Sequence, residues 1–271
     1  MIAQTHTYRV EAYNISHASE NKIHDDTVAK KLGFTGGLVP GVEMFAYLSN
    51  VAVQKWGMAW LEHGRLECRF GKPLYDGHMA EVSGVGGDSD SDSEMALTLT
   101  SDGVECATGK AWASGDRRAP PIDAYQQATP PELSARPPAS EASLAKGTWL
   151  GIRPFVMTQQ LSNEYLANIK EALPLYSQHG LAHPGLLLRQ CNTVLRENVL
   201  LAPWIHVGSD VQNFSPVRVG EEVSVRARVT DNYDRKGHRL VDLDCIIIAA
   251  GKRVAAHVKH SAIYKLRHLQ G

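Results

Sequence analysis

The chain has 271 residues, of which 43% are hydrophobic and 21% charged, a composition typical of a globular protein with about two domains. Lysine and arginine total 28 against 29 aspartates and glutamates, so the net charge of -1 provides no basic field for a nucleic acid. No apolar run approaches the roughly 20 residues that cross a bilayer, and the N-terminal residues lack the blocks of a signal peptide. The sequence predicts a soluble, cytoplasmic protein with neither a nucleic-acid nor a membrane partner.

The first half of the chain predicts a strand, a helical region, one long helix and then more strands. Residues 7–13 alternate in polarity as a strand does, and Gly41 opens a helix over 42–56. The apolar stripe of this helix is wide, so we expect the helix to be buried on most sides. Four strands are predicted after it, near 65–70, 79–85, 94–100 and 104–113.

A proline-rich stretch separates this half from a second one. Six of the 13 prolines fall between Pro120 and Pro138, and such density favours extended, weakly packed chain, so 116–146 is predicted to be a linker. The second half predicts a helix over 185–200 and strands near 205–214, 222–232, 240–249 and 253–264.

The two halves share spaced residues, which indicates a duplication. Pro73 and Gly77 recur 143 residues later as Pro216 and Gly220. Four further matches recur at an offset of 144: Pro40-Gly41 and Pro184-Gly185, Trp60 and Trp204, Gly64 and Gly208, Phe70 and Phe214. We predict two repeats, 1–115 and 147–271, of an α+β fold in which antiparallel strands wrap one long helix. Pairing the two sheets edge to edge would leave a cleft along the seam.

The four cysteines, Cys68, Cys106, Cys191 and Cys245, stand far apart and form no Cys-x-x-Cys unit. This usage is typical of an intracellular protein, and we expect all four to be buried as small hydrophobic residues.

One stretch carries a family resemblance: Asn21-x-x-His24-x-Asp26, then Ala29 and Gly33-Phe34, leading into Pro40-Gly41. It resembles the signature of the MaoC-like, (R)-specific enoyl-CoA hydratases, in which Asn-x-x-His-x-Asp, Ala and Gly-Phe precede an Ile-x-His-Gly at the start of the central helix. The resemblance implies a double hot-dog fold, acyl-CoA thioester substrates and no cofactor beyond the CoA of the substrate. It also implies that two such bodies can associate further as a homodimer.

Carried over by position, the resemblance makes His24 the general acid or base. Asn21 would shape the loop of His24, and Asp26 would hold that loop in place. The backbone N–H of Gly41, at a helix N-terminus, would face the thioester oxygen. Each role is physically sound, because imidazole exchanges protons near neutral pH and a helix N-terminus stabilises developing negative charge.

The sequence departs from the family signature at two positions. Ser19 stands where the family has its catalytic Asp, with Glu20 beside it, and Pro40 replaces the family's His. Either Glu20 or Glu43 reaches the substrate, or the hydratase chemistry is lost. In the second repeat His183 precedes Pro184-Gly185, but Asn168 takes the place of His24 at the offset of 144, so we expect one complete site, in the first repeat.

Other patterns give weaker hypotheses. Glu43 in the first helical turn is either stabilised by the helix dipole or acts as the carboxylate of a thioesterase, and Tyr47, one turn later, is either core or a substrate contact. The basic turn Arg235-Lys236-Gly237-His238 is either a charged hairpin or a contact for CoA phosphates.

Two metal-like patterns do not predict a metal. Gly180 and Pro184 interrupt the helix that would align His179 with His183. Residues 88–94 lack the glycine and glutamate of a calcium loop, so a solvated hairpin tip is predicted there.

The sequence therefore predicts a MaoC-like hydratase or dehydratase that converts 2-enoyl and 3-hydroxyacyl thioesters reversibly at the interface between the repeats. The alternatives are an acyl-CoA thioesterase that uses Glu43, and a protein that binds acyl thioesters without catalysis.

Overall fold

The structure is a computed structural model that describes residues 5–17, 19–86, 93–116 and 118–267. Residues 88–92 of the acidic hairpin tip predicted above lie outside these ranges. The strands are β1 Thr5–Glu11, β2 Arg65–Phe70, β3 Met79–Gly86, β4 Glu94–Ser101, β5 Val104–Trp112, β6 Trp149–Gly151, β7 Phe155–Val156, β8 Ile205–Asn213, β9 Glu222–Arg235, β10 His238–Ala249 and β11 Arg253–Lys265. The helices are α1 Asp26–Lys31, α2 Gly41–His63, α3 Gln159–Asn168, α4 Leu175–His179 and α5 Pro184–Asn198.

In the described part of the chain all the strands join one antiparallel sheet. Its order is β1-β3-β4-β5-β2-β8-β11-β10-β9-β6, and β7 pairs with β9. The first five strands in this order precede residue 116 and the others follow residue 146, so the pair β2 and β8 forms the seam. The predicted α+β class, with two curved sheets joined edge to edge, is confirmed.

The central helices α2 and α5 lie side by side against the sheet. Residues 41–53 of α2 are buried without interruption, as the wide apolar stripe predicts. Gly57 has a left-handed φ of 56° and marks a kink, beyond which α2 continues to His63. Apart from the end of α2, which is predicted at residue 56, the helices and strands predicted from periodicity agree with the observed bounds within a few residues, because alternation and apolar stripes report directly on burial.

The two repeats superpose at an offset of 143 residues rather than 144. The bridge between Leu38 and Tyr75 corresponds to that between Leu181 and Arg218, and in the seam Glu67 pairs with Asp210, its own counterpart. The matches at 144 are therefore wrong by one residue. Chance identities caused the error, because Trp60 lies within α2 whereas Trp204 lies in the loop before β8.

Most of the described residues of the proline-rich segment 116–146 are exposed, but a few of its side chains are anchored against the second repeat. It crosses the outer face of the second repeat, where Tyr125 packs with Ile246 and Ile248 and donates a hydrogen bond to Asp244 at 3.0 Å. Leu144, near its end, is fully buried in the main core. Proline restricts the backbone but leaves the side chains between the prolines free to pack.

All four cysteines are free and buried, as predicted. Within the described ranges the structure contains no helix that is long and apolar enough to span a membrane.

Candidate functional site

The loop that carries His24 is fixed by its own polar residues. A 3-10 turn over Lys22–His24 leads into α1, and the side chain of Asp25 caps α1 by accepting from Val28 N. The carboxylate of Asp26 accepts a hydrogen bond of 2.7 Å from Gly37 N, which ties α1 to the segment that enters α2. This is the contact that a loop-holding Asp26 would make.

The imidazole of His24 is held in one tautomer. Its Nδ1 lies 2.6 Å from Leu38 O, and because a carbonyl only accepts, Nδ1 carries the proton. Nε2 is then an acceptor, and the amide of Asn21 lies 3.3 Å from it. Burial lowers the pKa of His24 to about 4, helped by the nearby Arg189 charge and opposed by the bond to Leu38. The ring is therefore neutral at pH 7.

Asn21 joins the two repeats at this point. Its Nδ2 donates to Trp204 O at 2.9 Å, and its Oδ1 accepts from Trp204 N at 3.2 Å. Trp204 belongs to the loop before β8. The side chain of Asn21 therefore forms two hydrogen bonds with the backbone of the second repeat, as a neighbouring strand would. The loop of His24 is positioned by the second repeat as well as by the first.

A mostly apolar cavity of about 200 Å³ opens beside His24 and the start of α2. Gly41 is the first residue of α2, so its N–H has no partner within the helix, and Pro40 provides no side-chain cap. A Cβ on Gly41 would lie 2.8 Å from the ring of Phe70 and 2.9 Å from Nδ1 of His206, so only glycine fits. The apolar wall consists of Ile23, Phe34, Leu38, Val39, Met44, Phe70, Ile205, Val207 and Ile263.

A second, polar cavity of about 460 Å³ lies on the other side of His24, along α5. Arg153, Arg189 and Arg196 line it, together with Ser16 and Ser19. The two cavities share five residues: Asn21, His24, Pro40, Asn192 and Trp204. His24 therefore stands at the junction of an apolar and a polar space.

Asn192 is a candidate that sequence reasoning missed. It lies on α5 of the second repeat, lines both cavities, and its Oδ1 is buried without a hydrogen-bond partner. A buried amide oxygen without a partner is costly in a folded protein and is a typical sign of a ligand or water site. No signal near Asn192 in the sequence could have found it, because its relation to His24 depends on how the repeats pair.

A groove of about 480 Å³ on the outer face of the seam lies next to the apolar cavity, and Phe70 and Val207 line both. Arg235 of the basic turn lines this groove, which also contains Arg69, Lys259 and the carboxylates of Glu67, Asp210 and Asp242. Lys236 is exposed at the turn itself with a left-handed φ of 54°, and His238 accepts a hydrogen bond from Arg267 N. Of the basic-turn residues, the structure brings Arg235 to a cavity.

Glu43 does not line either cavity. It is fully buried between α2 and α5, where its Oε1 accepts a hydrogen bond of 2.6 Å from Arg189. Arg189 also donates to Ser16 Oγ at 2.7 Å. Burial raises the pKa of Glu43, whereas the Arg189 charge opposes this increase. The geometry gives Glu43 a partner in the core rather than a path to a thioester.

Three other predicted residues also lie away from the cavity linings. Tyr47 is in the hydrophobic core, where its hydroxyl accepts from Tyr13 N at 3.2 Å. Glu20 is exposed on the loop, next to Ser19, whose side chain does line the polar cavity. His183 is buried at the start of α5.

The corresponding place in the second repeat is filled by side chains. His183 stands where the first repeat has Pro40, and its Nδ1 accepts from Gly185 N at 3.0 Å, which caps α5. Its Nε2 lies 3.4 Å from the buried carboxylate of Glu171, and the rings of Tyr165 and Tyr176 pack against it. Asn168, the expected counterpart of His24, is instead the last residue of α3.

Comparisons with known proteins give structural matches alone. No family model and no curated protein sequence matches the chain. A conserved protein of Mycobacterium tuberculosis, described as having a double hotdog fold, superposes with a TM-score of 0.62 at 13% identity, over 97% of this chain and 96% of its own. The double hot dog is therefore the fold of this chain, as the resemblance implies.

Two further structures show the range of proteins that share this double hot-dog fold. A protein from Chloroflexus aurantiacus named as a MaoC domain dehydratase gives a TM-score of 0.60 at 10% identity, covering 98% of this chain and 96% of that one. A protein from Thermobifida fusca named as a thioesterase II gives 0.52 at 16% identity, covering 96% of this chain and 93% of that one. At these identities the likeness is one of fold.

Proposed function

We propose that this protein is a hydro-lyase that interconverts 2-enoyl and 3-hydroxyacyl thioesters, with His24 as its proton-transfer residue. The observation that carries the proposal is the state of the His24 ring. Leu38 O holds the proton on Nδ1, which leaves an unprotonated Nε2 at the junction of two cavities, next to the uncapped start of α2. A fixed acceptor beside a set of free backbone donors is what α-proton chemistry requires.

One base is sufficient for the reaction if the proton and the hydroxyl leave from the same face of the substrate. In the dehydration direction Nε2 of His24 takes the proton from C2, and the C2–H electron pair forms the enolate. The C3–O bond then breaks with formation of the double bond, and the imidazolium returns its proton to the departing oxygen, which leaves as water. The low pKa of His24 makes its protonated form a strong acid, which favours this second transfer. The same low pKa makes Nε2 a weak base, so the first transfer depends on stabilisation of the enolate. Ser19 in place of the family's Asp is compatible with such a mechanism.

The enolate oxygen would be stabilised at the start of α2. The N–H of Gly41 is free of helical partners, and the positive end of the helix dipole lies at the same point. Asn192 lines the same cavity from the opposite repeat, and the N–H of its side-chain amide would be the second donor. The thioester carbonyl is therefore placed between Gly41 and Asn192, with C2 facing His24.

The outer groove adjoins the apolar cavity, and the apolar cavity adjoins the polar cavity, which supports one orientation of the substrate. The CoA arm would follow the outer groove past Arg235 and pass through the apolar cavity to His24. The acyl group would extend beyond His24 into the polar cavity along α5. The thioester then lies at the seam, where residues of both repeats contact it.

The test is incubation of the purified protein with a panel of 2-enoyl-CoA thioesters, following the absorbance of the conjugated double bond and the release of free thiol. We expect loss of the double bond without thiol release, and a decrease of roughly 100-fold or more in His24→Ala. His17→Ala is the matched control, because His17 lies in the same loop but lines neither cavity. Thiol release that depends on Glu43 would instead establish a thioesterase, and silence in both channels would refute catalysis on these thioesters.

A further inference from the structure

The polar cavity has an unusual distribution of charge for a space beside an acyl thioester. Arg189 and Arg196 are seven residues apart on α5, so they lie on the same face of the helix two turns apart. Both line the cavity, as do Arg153 and one acidic residue, Glu197. An acyl chain without polar groups would leave Arg196 without a bonded counter-charge in the bound state.

The charges already present neutralise this cluster only in part. Glu43 pairs with Arg189 from the core side, and Arg153 pairs with Glu132 on the surface. Glu197 accepts from the backbone N of Arg153. Within the described residues no carboxylate forms an ion pair with Arg196. Burial and the charge of Arg189 lower the pKa of Arg196, whereas the charges of Glu20 and Glu197 oppose this decrease. Among the three arginines of this cavity, Arg196 is therefore the one without a bonded carboxylate.

We propose that the acyl group of the substrate carries a carboxylate, which binds between Arg189 and Arg196 in the polar cavity. This inference rests on the proposed function, because it assigns the substrate class of that same site. Planar guanidinium groups match a carboxylate with paired, charge-assisted hydrogen bonds. The preferred substrates are thus thioesters of dicarboxylic acids rather than of simple fatty acids.

A phosphate of CoA is a less suitable occupant of this cavity. Arg189 lies close enough to His24 to affect its pKa, so the cationic cavity adjoins the reacting atoms. In CoA the pantetheine arm separates the phosphates from the thioester, so a phosphate and the thioester cannot both lie beside His24. A carboxylate on a short acyl chain can reach the arginines from the thioester.

The experiment measures binding of saturated thioesters by isothermal titration calorimetry, so that it does not depend on turnover. Succinyl-CoA is compared with butyryl-CoA, and adipyl-CoA with hexanoyl-CoA, which differ in the terminal carboxylate. We expect at least one carboxylated member to bind about 10-fold or more tightly than its neutral partner, as one charge-assisted contact provides. Arg196→Met should bring the ratio of the two affinities close to one, whatever its effect on the affinity for the neutral thioesters.

Arg136→Met is the matched control, because Arg136 donates to Arg196 O but does not line the cavity, and the same charge is removed. Arg189→Lys provides a second variant that keeps the charge beside Glu43 and should still reduce the preference. Equal binding of both members of each pair would overturn the proposal. The proposal would also be overturned if Arg196→Met weakened binding of the carboxylated and the neutral CoA thioesters equally and left binding of the corresponding N-acetylcysteamine thioesters unchanged. The arginine would then bind a phosphate of CoA. If the protein bound carboxylated thioesters selectively but did not hydrate them, the proposed carboxylate subsite would stand and only the hydro-lyase activity would be refuted.

Discussion

Three buried histidines make the stability of this protein unusually sensitive to mild acid. Burial lowers the pKa of His24 to about 4 and that of His260 to about 3, and burial together with the neighbouring His260 lowers the pKa of His206 well below its usual value. The unfolded chain binds a proton at each histidine near pH 6.5, whereas the folded chain stays neutral there. Stability is therefore constant above about pH 7 and falls as the pH decreases toward the folded pKa values.

The magnitude follows from proton linkage. Each group costs about 1.4 kcal/mol per pH unit once the unfolded state is protonated, which amounts to about 2 kcal/mol between pH 7 and pH 5. His24 and His260 together cost about 4 kcal/mol, and His206 adds a cost in the same direction, which is a large part of the roughly 5–15 kcal/mol that stabilises a typical domain. We expect the protein to approach acid unfolding near pH 5, above the range in which most carboxylates titrate.

The assay is urea unfolding at a series of pH values from 7 to 5, followed by circular dichroism. His260→Gln should reduce the loss of unfolding free energy between pH 7 and pH 5 by about 2 kcal/mol, whatever its effect on stability at pH 7. Val258→Ala, on the same strand, is the control, because it removes buried methyl groups and no titrating group, so it should lower the stability and keep the slope. A loss below about 2 kcal/mol in the wild type, or an unchanged slope in His260→Gln, would refute the reasoning.

Three substitutions test other parts of the structure. Arg189→Met leaves the carboxylate of Glu43 buried without a partner and should lower the unfolding free energy, measured in urea, by about 3–5 kcal/mol. Adding Glu43→Gln should restore part of this loss, whereas additive effects of the two substitutions would argue against a coupled pair. Gly41→Ala forces a methyl group against neighbouring rings, so we expect a cost of about 1–3 kcal/mol and loss of thioester binding by calorimetry; unchanged binding would exclude this point of α2 as a contact. Glu171→Gln removes the buried carboxylate that faces Nε2 of His183 and should cost about 1–3 kcal/mol without affecting substrate affinity, so a change in KM would contradict a filled second site.

The fold follows from local patterns, and for that reason the sequence predicts it well. Alternation in 222–232 and the wide apolar stripe of α2 each report the burial of a single element. The register of the repeats does not follow from such patterns. Identities such as Trp60 and Trp204 set the offset wrong by one residue, and the correct offset of 143 is established by pairing between strands, which no single segment encodes.

The candidate site likewise has a part that could be predicted from the sequence and a part that could not. A short motif with local hydrogen bonds, such as that of His24 and Asp26, could be predicted because its residues lie within one loop. Arg189, Asn192 and Arg196 lie more than 160 positions from His24 in the sequence, so their place beside it could not be predicted. Glu43 illustrates the difference. Its position in the first turn of α2 suggests a catalytic carboxylate, but in the structure it is hydrogen-bonded to Arg189 from the other repeat.

The asymmetry between the repeats gives the departure at Pro40 a physical meaning. In the second repeat the ring of His183 caps the start of α5, and Glu171 with two tyrosines fills the space in front of it. A proline at the same place in the first repeat has no side-chain acceptor, so the first N–H groups of α2 stay available beside an open cavity. If a histidine stood at Pro40 and capped α2 in the same way, it would compete with a thioester oxygen for those donors. The residue that departs from the family signature is therefore one that keeps the helix N-terminus open to a ligand, and it does so in the repeat that carries His24.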